Sequence, residues 1–141
     1  MRLRTRHFDV IEFMEDSIII FNEGILGFED LHSYIIIKNN NPDVPFHQCE
    51  WVDNPDLTFV ITDPFLFIND YEFDLSDSEV KELEIKDSSD IKIYNIVVIG
   101  KDIKESTINL RGPIVINIQK KIGKQIVLDS DKLSLKHKLF K

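Results

Sequence analysis

No uninterrupted apolar run in this chain is longer than four residues, and each run gives way to a cluster of turn formers. Ile18–Phe21 and Ile96–Ile99 are two such runs. Repeated short runs bounded by Gly, Pro, Asn and Asp are the signature of an antiparallel all-β chain, and they are far too short to span a bilayer. Strands are expected over Thr5–Phe13, Ser17–Phe21, Ser33–Lys38, Phe46–Val52, Leu57–Thr62 and Phe65–Ile68. Further strands are expected over Ile91–Ile99, Thr107–Leu110, Ile114–Gln119, Gln125–Leu128 and Leu133–Leu139. Turns fall at Asn22–Gly24, Asn39–Pro42, Asp53–Asp56, Asp87–Asp90 and Lys120–Lys124. Composition agrees: 22 Ile and 9 Val stand against no alanine at all. Helix surfaces normally rest on Ala, whereas β-branched residues suit a pleated, half-buried surface.

Alternation is clearest near the end of the chain. Ile114, Ile116 and Ile118 share one strand face, and Val115, Asn117 and Gln119 share the other. One helix is expected after Ser76, where Ser76-Asp77-Ser78-Glu79 forms a capping box and Val80 and Leu83 fall on one face. A second helical turn is expected through Glu29-Asp30-Leu31. With about ten strands and no internal repeat or linker, residues 1–141 read as one domain, and a closed or nearly closed barrel removes exposed strand edges.

Charge is unevenly spread. Arg2, Arg4 and Arg6 make the start basic, residues 120–141 carry +5, and residues 7–119 carry −16 within a net charge of −8. So acidic a body is unsuited to nucleic acid, whose binding depends on Lys and Arg against phosphates. It either serves solubility or steers a basic partner. Cys49 is a lone cysteine, which excludes an intramolecular disulfide and fits a reducing compartment. Acidic residues interrupt any apolar stretch behind the basic N-terminus, so the chain is expected to be cytoplasmic, with no membrane contact.

The chemistry-bearing residues are sparse. His7, His32, His47 and His137 are scattered; His47 and Cys49 share a strand face, but two ligands do not hold a zinc ion, and no metal or cofactor is expected. No nucleophile elbow occurs, and Cys49 is read as a packed thiol. Asp63, Asp70 and Asp74 are close enough in sequence to line one rim, the basis of an alternative reading as a β-barrel hydrolase or small-ligand protein; a deep cavity with converging carboxylates would support it. Three segments look over-specified for scaffolding: Glu23–Phe28, Thr62–Tyr71 and Thr107–Asn117. Asn109 and Asn117 either bind local backbone or face another molecule.

These segments resemble the flagellar assembly factor FliW family. Glu23-Gly24-Ile25-Leu26-Gly27-Phe28 is similar to its E-G-x-P-G-F motif. Phe59–Glu72 is similar to F-V-V-x-x-P-F-x-F-x-x-D-Y-E, and Thr107–Asn117 to T-x-N-L-x-A-P-I-V-I-N. Gly123-Lys124-Gln125 and the basic Lys136–Phe140 tail follow in the same order. Leu26 stands where the family has Pro, Gly112 where it has Ala and Lys138 where it has Pro, while Glu50-Trp51 replaces a Gln-Ser pair. The resemblance implies a small β-barrel, not an enzyme, that binds flagellin in a chaperone-like role. It also implies binding to the basic translational repressor CsrA, so that repression of flagellin mRNA is relieved; the free chain is expected to be a monomer. Partner-binding residues are expected among Glu23, Phe28, Glu50, Trp51, Asp70, Tyr71, Asn109 and Asn117. An aromatic rim at Phe28, Phe65 and Tyr71 would seat flagellin, with Phe65 itself read as a core residue.

Overall fold

The computed structural model describes residues 2–3, 11–12, 18–38, 45–54, 56–130 and 132–139. Most of the strand expected over Thr5–Phe13 lies outside these residues. Its described part is β2 (Ile11–Glu12), which pairs antiparallel with β1 (Arg2–Leu3).

Nine further strands follow: β3 (Ile19–Phe21), β4 (Ser33–Ile37), β5 (Phe46–Trp51), β6 (Thr58–Thr62), β7 (Ile91–Val98), β8 (Thr107–Ile108), β9 (Ile114–Asn117), β10 (Ile122–Gln125) and β11 (His137–Lys138). Strands β3 to β7 form an antiparallel meander, and β9 pairs with β7 on one side and β10 on the other. The ring closes where β10 meets β3, Ile122 beside Ile20 and Gly123 beside Phe21, and this seam is parallel. The result is a closed seven-stranded barrel. Strand β7 changes partner along its length: Ile91–Tyr94 pair with β9, whereas Val97 and Val98 pair with β8, which in turn carries β11.

The barrel interior holds Ile19, Phe21, Tyr34, Cys49, Ile61, Tyr94, Ile114 and Ile116. Both faces of β9 are buried, because Val115 and Asn117 point outward beneath a second layer. That layer contains helix α1 (Asp77–Glu82), whose Leu83 cap packs with Val115 and Ile126. The expected capping box is present, with Glu79 N–H donating to Ser76 Oγ at 3.1 Å and Ser76 N–H to Glu79 Oε1 at 2.8 Å. A third cluster joins Tyr71, Val97, Ile108, Leu110 and Leu139 on the outer face of β6 and β7.

Several local expectations are revised. Phe65–Ile68 is not a strand. Asp63 Oδ1 accepts from Phe65 N–H at 2.9 Å and Pro64 sets the first φ, so Pro64–Leu66 winds into a single 3-10 turn. Asp87 and Asp102 open two more such turns in the same way, at Ser88–Asp90 and Ile103–Glu105. Glu29-Asp30-Leu31 makes one hydrogen-bonded turn, Leu31 N–H to Phe28 carbonyl at 3.1 Å, not a helix. The strand expected at Gln125–Leu128 lies earlier, at Ile122–Gln125, because Lys121 takes a positive φ of 58° and ends the turn there.

Candidate partner-binding surface

The Glu23–Phe28 turn is tied down at several points. Gly24 has φ +67°, and a Cβ there would lie 2.5 Å from the Phe28 carbonyl oxygen, so only glycine fits. Ile25 is buried and Phe28 N–H donates to its carbonyl at 2.6 Å. From β10, Gln125 Oε1 accepts from Leu26 N–H at 2.8 Å, while Gln125 Nε2 donates to Gly112 carbonyl at 3.1 Å. Lys124 Nζ reaches Glu23 Oε2 at 2.6 Å and Glu82 Oε2 at 2.7 Å, joining the turn to the end of α1. Burial alone would lower the Lys124 pKa, but the hydrogen bonds it donates to Glu23 and Glu82, with their charges, outweigh it and hold the pKa above its usual value.

The Gly123-Lys124-Gln125 motif thus has a physical role at each position. Gly123 lets β10 close against Phe21, whose ring lies 2.6 Å from where a Cβ would sit. Lys124 and Gln125 hold the turn. At Gly112, an added Cβ would lie 2.7 Å from Gln125 Nε2, so an alanine there would displace that amide.

This anchored turn presents Leu26, 66% exposed, and Phe28, 40% exposed, to solvent. Phe28 rests edge-on against Phe59, with ring centroids 5.5 Å apart. Acidic side chains of Glu23, Glu29 and Asp30 stand around it, exposed. An apolar pair on a pinned base inside an acidic surround suits a protein contact.

The remaining expected contact residues are dispersed. Tyr71 is buried, and its hydroxyl donates to Leu110 carbonyl at 2.6 Å and accepts from Asn95 Nδ2 at 3.2 Å. Burial raises its pKa, with the Asn95 hydrogen bond acting in the opposite direction. The single aromatic rim is not formed: Phe28 lies at the Phe59 end of β6, while Phe65 and Tyr71, 6.2 Å apart, lie beyond the other end. Phe65 is half-exposed rather than a core residue. Asn117 is 1% exposed; Nδ2 donates to the carbonyls of Leu83 and Glu84, and Oδ1 accepts from Gln119 and Lys120 N–H. Asn109 Oδ1 accepts from Arg111 N–H at 2.9 Å. Both asparagines therefore bind main chain, Asn109 next to itself in sequence and Asn117 both there and at the end of α1. Glu50 is fully buried and accepts from Thr58 Oγ1 at 3.1 Å, and Trp51 is partly buried against the barrel interior. Asp70 is exposed in a turn.

The three aspartates of the hydrolase reading do not converge. Asp74 and Asp63 border two neighbouring open depressions that share Phe65, Ile91 and Ile93, and Asp70 lines neither. Asp63 is engaged by Lys92 Nζ at 3.0 Å as well as by Phe65 N–H. Among the described residues no three His, Cys, Asp or Glu side chains gather to hold a metal ion, and no helix is long and apolar enough to cross a membrane. Cys49 lies in the core, where burial, reinforced by Glu50, pushes its thiol up to about 12.

Sequence reasoning missed Asn95, which anchors Tyr71, although an amide in the middle of the expected Ile91–Ile99 strand was a readable signal. It also missed Leu26 as the exposed apolar tip of the turn.

Fold and surface together define a small closed β-barrel factor built around one rigid, apolar-tipped turn. A family model described as FliW protein matches residues 2–139. The flagellar assembly factor FliW of Alkaliphilus metalliredigens (strain QYMF) is 48% identical over 137 residues, 97% of this chain and 85% of that protein. The flagellar assembly factor FliW of Clostridium botulinum (strain Hall) is 41% identical over 143 residues, covering 100% of this chain and 98% of that one. A crystal structure of the flagellar assembly factor FliW superposes with a TM-score of 0.93 at 33% identity, covering 100% of this chain and 98% of that chain. The chain belongs to the FliW family of flagellar assembly factors.

Proposed function

We propose that this chain binds flagellin in the cytoplasm and, when free, captures CsrA and so relieves repression of flagellin mRNA. What carries this reading is the Glu23–Phe28 turn. Its backbone is pinned by Gln125 and Lys124, and Leu26 and Phe28 are left in solvent, where an apolar segment of flagellin would cover them. The acidic body supplies the second half. With −16 over residues 7–119, it attracts a basic protein and opposes RNA, so capture of the regulator and its release from mRNA act in the same direction.

The experiment measures association with purified CsrA and with purified flagellin across ionic strength. Capture of CsrA slows steeply with added salt if the acidic body steers it; a flat response sinks that half. Flagellin binding weakens at least tenfold in Leu26→Ala/Phe28→Ala; unchanged affinity in a folded variant removes the turn from the interface.

A further inference from the structure

The interior of the barrel ends in lysines. Along β4 the inward row runs Tyr34, Ile36 and, one step past the strand, Lys38; along β7 it runs Ile96, Tyr94, Lys92. Ile36 and Lys38 from one row and Tyr94 and Lys92 from the other line the same cavity, so the two rows emerge at the same end. There they surround an open cavity of about 410 Å³, with Ile19, Ile36 and Ile116 as its apolar wall and Lys38, Lys92 and Lys121 at its mouth. Only seven Lys and Arg occur in residues 7–119, and two of them stand here, on an otherwise acidic body.

We infer that this open end of the barrel binds an amphipathic monocarboxylate, its apolar chain against the isoleucine wall and its carboxylate among Lys38, Lys92 and Lys121. The volume lies within the range of small-ligand sites, roughly 300–1,000 Å³. Lys92 is held above the Tyr94 ring, 5.3 Å from its centroid, and 3.0 Å from Asp63, which orients it without neutralising the other two lysines. Charge-assisted hydrogen bonds from an ammonium to a carboxylate are the stronger kind, and they form here beside an apolar wall. His47, whose ring meets Tyr94 edge-on at 6.2 Å, reports the local field. Burial lowers its pKa, and Lys38 and Lys92 lower it further, against Asp63. A bound carboxylate would oppose those lysines.

The test uses the full chain, octanoate as probe and NMR of the isoleucine methyl groups. Octanoate gives saturable shifts at Ile19, Ile36 and Ile116 and raises the His47 pKa. Octanol binds at least tenfold more weakly, and octyltrimethylammonium does not bind. Lys38→Gln/Lys121→Gln, two exposed positions, weakens octanoate about tenfold and leaves octanol unchanged. Equal affinity for octanol, shifts confined to other surfaces, an unaltered double variant or the absence of saturation each overturns the site. The inference is independent of partner binding, which is placed on the Glu23–Phe28 turn for flagellin and on the acidic body for CsrA and is read separately with each.

Discussion

Tyr71 donates its phenolic hydrogen to the main-chain carbonyl of Leu110 at 2.6 Å, across 39 positions of sequence. The same hydroxyl accepts from Asn95, whose Nδ2 also donates to the Asn109 carbonyl at 2.7 Å. Asn95 sits where β7 leaves β9 and takes up β8, so this network fastens the strand at its change of partner. Tyr71→Phe keeps the ring and leaves the Leu110 carbonyl without that donor. A loss of about 1–3 kcal/mol is expected, the cost of a buried polar group deprived of its partner. Urea midpoints of the two proteins measure it, and an unchanged midpoint would show that the carbonyl is satisfied in another way.

Asn117 holds the reversal after β9 and the end of α1 with one side chain. Asn117→Ala removes donors to Leu83 and Glu84 and an acceptor for Gln119 and Lys120. A destabilisation of at least about 2 kcal/mol is expected. Amide exchange should speed up at Val80 and Leu83, the residues α1 protects; exchange that rises equally throughout the barrel would argue against a local clasp.

Where the determinants are local, the sequence was readable. The Ser76–Glu79 capping box and the Ile114–Asn117 strand both depend on neighbours within a few positions. Phe65–Ile68 misled because its aromatics favour strand, whereas Asp63 and Pro64 impose a turn ahead of them. The expected contact residues are a different case. Tyr71 and Asn117 were conspicuous as polar or aromatic residues in specific motifs, yet the carbonyls they donate to, those of Leu110 and Leu83, are distant in sequence and only the closed barrel supplies them, whereas Asn109 accepts from Arg111 two positions away. The parallel β3–β10 seam and the lysines at the barrel end follow from non-local register, which no window of sequence contains.

Lys124 is only 16% exposed and meets two carboxylates. A double-mutant cycle between Lys124→Gln and Glu23→Gln should show a coupling of about 0.5–1 kcal/mol, the upper part of the range for a pair in solvent because the lysine is nearly covered. Flagellin binding by Lys124→Gln should weaken with thermal stability little altered, since the exposed Leu26 and Phe28 lose their fixed base. A coupling near zero would make Gln125 the sole anchor of the turn from β10.

Cys49 should be inert in the native protein. Its thiol is buried and its pKa is pushed up to about 12, so little thiolate exists at pH 8 and none is within reach of a reagent. Reaction with a chromogenic disulfide is expected to be at least a hundredfold slower in buffer than in denaturant. Rapid native labelling would mean that β5 opens often.

His47 gives the fold a pH dependence of defined sign. Its folded pKa lies below the ordinary 6.5, first because it is buried and then because Lys38 and Lys92 are near. Between the folded pKa and 6.5 the unfolded chain binds a proton that the folded chain does not. The stabilising contribution is therefore fully present above 6.5, declines as the pH falls toward the folded pKa and levels off below it. The slope from this one group cannot exceed about 1.4 kcal/mol per pH unit. Urea midpoints of the parent and of His47→Gln, taken from pH 7.5 down to 5, isolate it: the parent's stability relative to the variant's should fall as the pH falls through 6.5. Asp63→Asn removes the carboxylate that opposes the lysines, so the decline should extend to lower pH. A parent and a His47→Gln protein whose midpoints run parallel over the whole range would exclude the imidazole as the titrating group.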